Sequence, residues 1–106
     1  MIHFRHTVQI APGRQAEAVA RAHEWMAIYK KATGVEARVS VVTTGTLGRL
    51  CISVDFESMG ADEAAEAKAK AHPDWKALGA KQNQEFRDGT APIVPGTMHE
   101  EYWRDA

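Results

Sequence analysis

The sequence contains a single cysteine, Cys51, a single asparagine, Asn83, and no unbroken apolar run longer than the five residues 25–29. A lone cysteine can neither close an internal disulfide nor supply a thiolate metal cluster, which suits a reducing compartment. A membrane helix needs about 20 apolar residues, and the opening residues MIHFRH lack the apolar core of a signal peptide. A cytoplasmic location without a membrane partner is therefore expected. Charge of one sign is missing too: 13 Lys+Arg oppose 14 Asp+Glu for a formal charge of −1, so no overall field draws nucleic acid. No histidine-rich helix motif or carboxylate cluster is present, and neither a metal nor another cofactor is expected.

What the chain does have is alternation. Its 106 residues suffice for one two-layer core and not for two, giving a single domain over residues 1–106. In residues 2–10, Ile2, Phe4, Val8 and Ile10 fall on one face and His3, Arg5, Thr7 and Gln9 on the other, the pattern of a half-buried strand. Pro12 and Gly13 end it. Residues 14–33 switch to helix formers, with a stripe through Ala16, Val19, Ala20, His23, Met26, Ala27 and Lys30, Trp25 and Tyr29 beside it as packing residues, and an exposed Glu17–Arg21 pair. Gly34 marks the stop.

Residues 35–44 alternate again, with Val35, Ala37, Val39 and Val41 opposite Glu36, Arg38, Ser40 and Val42. After a glycine-containing turn, Leu50, Ile52, Val54 and Phe56 oppose Arg49, Cys51, Ser53, Asp55 and Glu57, which completes an antiparallel hairpin. An alanine-rich helix, supported by a Glu66–Lys70 pair, follows from Ser58. Pro73 interrupts it: residue 72 is pushed out of the α region and Pro73 suits a first helical position. Trp75, Leu78, Gln82 and Phe86 then continue at helical spacing to about residue 86. Residues 88–96 carry Pro92 and Pro95 and read as a loop; residues 97–104 read as a short last strand.

The order β-α-β-β-α-β predicts an α+β chain of the ferredoxin-like kind, a four-stranded antiparallel sheet with two helices on one face. The apolar strand positions then lie under the helices, and the opposite face presents polar ones. His3 and Arg5 stand two residues apart there, an imidazole for acid/base work beside a guanidinium clamp, with Asp55 within reach as their carboxylate. Thr7, Arg38, Ser40, Cys51 and Ser53 are the candidate ligand contacts. The last strand adds either His99, Glu101 and Trp103 or Glu100, Tyr102 and Arg104, since neither parity is cleanly apolar; His99 and Trp103 join the candidates in the first case. The plainer alternative is a solvated face whose charges form cross-strand pairs that hold register. His6 falls on the apolar parity, opposite His3, so the two cannot chelate one metal. Cys51 reads more simply as a packing residue than as a thiolate, and Trp75 as a helix anchor.

Strand order, length and the segment His72-Pro73-Asp74-Trp75 resemble the dimeric α/β-barrel superfamily, which includes NIPSNAP-type, EthD-like and antibiotic-biosynthesis-monooxygenase-type proteins. The resemblance covers nearly the whole chain. It implies that two sheets pack face to face in a homodimer whose barrel interior binds a small organic molecule. It also implies a choice among chemistries, from cofactor-independent oxygenase or isomerase to a non-catalytic stress-response or regulatory dimer, because the fold does not select one. The haem-degrading branch is disfavoured: it is expected to use an asparagine near the porphyrin, and Asn83 sits in a helix. An RNA-binding sheet would need aromatics on the third strand, where Arg49, Cys51, Ser53, Asp55 and Glu57 stand instead.

Overall fold

The computed structural model describes residues 1–106. Its elements run β1 (Ile2–Gln9), α1 (Gln15–Thr33), β2 (Arg38–Val41), β3 (Arg49–Phe56), α2 (Met59–Ala71), α3 (Pro73–Asp88) and β4 (His99–Arg104). The four strands form one sheet in the order β2-β3-β1-β4, and every neighbouring pair is antiparallel. This is the ferredoxin-like arrangement.

The second helical region is two helices rather than one bent helix. His72 adopts an extended conformation (φ −74°, ψ 133°) that ends α2 and, one residue later, starts α3. Its Nδ1 accepts a hydrogen bond from the Asp74 amide at 3.1 Å, capping α3 ahead of Pro73. The proline clash with helical geometry at residue 72 and the imidazole cap act at the same point. Elsewhere the stops fall where the chain calls for them. Gly34 takes a left-handed φ of 76° and closes α1 by donating to the Lys30 carbonyl. The Ser58 hydroxyl accepts from the Ala61 amide at 3.1 Å and opens α2.

Two clusters make the core. Val8, Ile10 and Leu50 pack on Ala18 and Ala22 of α1, while Val54 and Phe56 pack with Tyr29 and on Ala65 and Ala69 of α2. Alanines four apart on each helix let the backbone lie close to the sheet. The buried stripe of α1 is therefore Ala18, Ala22 and Tyr29, with Trp25 and Met26 partly buried. Ala16, Ala20, His23, Ala27 and Lys30, expected on that stripe, face solvent. In an alanine-rich helix several phases look alike, and the large aromatic residues decide which one turns inward. Arg21 does not pair with Glu17 either. It reaches α3, where its guanidinium meets Glu85 at 2.5 and 2.9 Å, and Glu17 pairs with Arg14 instead.

β2 is only four residues long, shorter than its alternating sequence suggests, although Val35 and Ala37 still pack on the second cluster. The proline-rich arm has a structural task. Ile93, 8% exposed, plugs the end of the first cluster, and hydrogen bonds from Ala11 to the Pro92 carbonyl and from Val94 to the Gln9 carbonyl hold it there. The whole chain is a slab of 36 × 35 × 20 Å, one sheet layer and one helix layer thick.

Candidate functional site

The helix-free face of the sheet is built by register. Across β1 and β3, His3 pairs with Asp55, Arg5 with Ser53 and Thr7 with Cys51. Across β2 and β3, Arg38 pairs with Ser53 and Ser40 with Cys51. Across β1 and β4, His3 pairs with Trp103, Arg5 with Glu101 and Thr7 with His99. The phase of the last strand follows: His99, Glu101 and Trp103 share this face, while Tyr102 lies on the helix side against Phe4, ring centroids 5.1 Å apart. A shallow depression of about 530 Å³ is lined by His3, Arg5, Arg38, Val39, Ser40, Cys51, Ser53 and Asp55. Thr7, His99 and Trp103 stand on the same face outside it.

His3 is held from both sides. Its Nδ1 lies 2.7 Å from an Asp55 carboxylate oxygen and its Nε2 lies 2.7 Å from one of Asp105. Only an imidazolium donates at both nitrogens, and the two carboxylates, Asp55 first, hold its pKa above the ordinary 6.5. In return the His3 hydrogen bond keeps both Asp55 and Asp105 below the usual carboxylate value. A histidine with both nitrogens occupied is an anchored cation rather than a free base. Asp105 carries no sequence signal, because it follows the last strand and alternation says nothing of the tail.

Arg5 is the opposite case. Its cross-strand neighbour Glu101 is already committed: it accepts from the Trp103 indole at 2.9 Å and lies 2.8 Å from His99 Nε2. Those two contacts, His99 first, lower its pKa. The Arg5 guanidinium is left without an ion pair and lies 5.8 Å from the Trp103 ring centroid, a cation–π contact. Arg38, with its side chain 77% exposed, reaches Asp55 only at 3.7 Å. Arg49 donates to the Thr7 hydroxyl at 3.0 Å. Two loosely held guanidinium groups, Arg5 and Arg38, thus flank a depression bearing two hydroxyls and a thiol, a surface suited to a planar anion.

A second concavity, which strand alternation gives no means of foreseeing, lies on the other side of the sheet, under the helices. It measures about 270 Å³ and is mostly apolar, and five of the chain's eight aromatic residues line it. His6 opens onto it and lies 3.2 Å from Glu100 of β4.

No protein-family model matches the sequence, and no curated protein sequence matches it. Solved structures do. A NIPSNAP domain protein from Burkholderia xenovorans superposes with a TM-score of 0.77 at 17% identity, over 100% of this chain and 95% of that one. A NIPSNAP family protein from Agrobacterium tumefaciens gives 0.76 at 15% identity, over 99% and 92%. A provisionally assigned antibiotic biosynthesis monooxygenase from Deinococcus radiodurans gives 0.66 at 11% identity, over 100% and 93%. At these identities the likeness speaks of fold, and it extends over nearly the full length of both chains. The chain has the ferredoxin-like fold of NIPSNAP-type and antibiotic-biosynthesis-monooxygenase-type proteins.

Proposed function

We propose that the chain works as a homodimer, its two helix-free sheet faces stacked into a barrel that holds a small organic anion. The observation that carries this reading is Arg5, a guanidinium without a carboxylate partner beside the depression that Arg38 flanks. An unpaired cation on a sheet face gains most from a ligand once that face is shielded from water. Trp103, 53% exposed on the same face, is the kind of residue that anchors an interface. In the barrel, Arg5 and Arg38 clamp the anion, Ser40, Ser53 and Cys51 line the floor, and Thr7, His99 and Trp103 form the rim. His3 and Asp55 supply a fixed charge pair.

Binding without turnover fits this geometry best, because His3 has no free nitrogen with which to take a proton. A catalytic reading, cofactor-independent oxygenation or isomerisation, is favoured by the neighbour assigned to monooxygenases. It requires Asp105 to leave Nε2 when substrate enters. A cytoplasmic setting suits both.

Benzoate serves as a probe anion in calorimetric titration. Arg5→Gln is expected to weaken benzoate binding by about fivefold or more, the equivalent of about 1 kcal/mol, with the melting temperature unchanged. Unchanged binding with an equal loss of thermal stability would make the face a register-holding surface and nothing else.

A further inference from the structure

The cavity beneath the helices differs in chemistry from the open face. Its helix-borne wall is aromatic: Trp25 meets Trp75 edge to face at 4.6 Å between centroids, and Tyr29 lies 6.3 Å from Trp75. Its sheet-borne wall sets Phe4 and Tyr102 beside the aliphatic Val8, Leu50, Ile52 and Val54. Between them stands Asp62 of α2, 7% exposed and the one charged residue in the buried set.

Asp62 is electrically alone. Around the cavity Arg21 pairs with Glu85 and Lys70 with Glu66 at 2.7 Å, and His6 Nδ1 lies 3.2 Å from Glu100. Asp62 forms no ion pair. One of its oxygens accepts the Tyr102 hydroxyl at 2.8 Å, and the other has no hydrogen-bond donor. Burial, followed by hydrogen bonding to Asp62, keeps the Tyr102 phenol protonated, and burial pushes Tyr29 up to about 12. The unbonded oxygen of Asp62 is not sealed in the packing but keeps accessible surface, where a donor can reach it, and the aromatic faces around it attract a positive group in turn. The volume fits: a dry cavity of about 150 Å³ accepts benzene, and this one is about 270 Å³.

We propose that the cavity between the helices and the sheet is a binding site for a small organic cation, an amine on a compact apolar or aromatic body, with Asp62 as its counter-ion. The site lies within one chain and does not depend on pairing of the open faces. Tyr102 holds the carboxylate in place, and Trp25, Tyr29 and Trp75 receive the apolar body and the flank of the ammonium group.

The test uses three probes of one size, 2-phenylethylamine, 2-phenylethanol and 3-phenylpropanoate, titrated into the full chain. The indole N–H resonances of Trp25 and Trp75 report on this cavity, and that of Trp103 reports on the open face. The amine is expected to shift the Trp25 and Trp75 signals and to bind about tenfold or more tighter than the alcohol, while the carboxylate leaves them unmoved. Asp62→Asn keeps an acceptor for Tyr102 and is expected to bring the amine down to the affinity of the alcohol. Equal affinities for amine and alcohol in the unmodified protein would overturn the proposal without any variant. So would an amine that shifts only Trp103, or a preference that survives Asp62→Asn.

Discussion

The two sides of the sheet handle charge in contrasting ways. On the open side, charges are many, near water and mostly matched along the register, as in the Asp55–His3–Asp105 chain and the Glu101 bridge between His99 and Trp103. On the helix side the matched pairs sit around an apolar cavity, and one buried carboxylate, Asp62, is left unmatched. The difference teaches where each surface keeps its energy. Exposed ion pairs contribute little to folding, so the open side is free to be arranged for an occupant; the helix side supplies the packing on which the fold depends.

The same contrast explains what could be read from the chain. Alternation in residues 2–10 and 49–57 placed His3, Arg5, Cys51, Ser53 and Asp55 on one face, because a strand has a period of two and a one-residue error would expose every apolar side chain. The break at His72-Pro73 was legible for a steric reason. The phase of β4 was not, since His99–Arg104 is exposed on both faces and burial imposes no pattern on it. The cavity was hidden for another reason: it arises where α1, α2, α3 and three strands fail to meet, and no local period encodes a gap. In the sequence Asp62 is one of three acids, with Glu63 and Glu66, on an alanine-rich helix. Only the three-residue step from Asp62 to Ala65, then the four-residue step to Ala69, hinted that it faced inward.

Substitutions can set the two sides against each other. Leu50, 2% exposed on the helix side, is expected to lose about 2–5 kcal/mol of stability as Leu50→Ala, read by chemical denaturation. Ser53→Ala, three residues away on the open side, is expected to change stability by less than about 0.5 kcal/mol; equal losses would erase the division of labour. Trp103→Ala is expected to weaken self-association by about 2 kcal/mol, roughly thirtyfold, in sedimentation equilibrium. Tyr102→Phe removes the one hydrogen bond on the Asp62 carboxylate and is expected to cost about 1 kcal/mol in thermal unfolding. No cost would mean that water replaces the phenol.

The smallest effect is the pH response of the His3 clamp. His3 has a raised pKa in the fold, so its contribution is complete below about pH 6.5 and fades as pH rises through the folded value. Asp55 and Asp105 have lowered values, so theirs is complete above about pH 3.8 and fades on acidification. His3→Gln is expected to flatten the decline in melting temperature from about pH 6 to pH 8, measured by circular dichroism. An unchanged profile would show that the clamp adds nothing to stability.

Whether the open face is covered by a second copy decides the rest of the account. The solution mass of the unmodified chain at tens of micromolar, measured by light scattering, is expected to be twice its 11.7 kDa. A single species of 11.7 kDa at that concentration would contradict the barrel and leave Arg5 and Arg38 facing water.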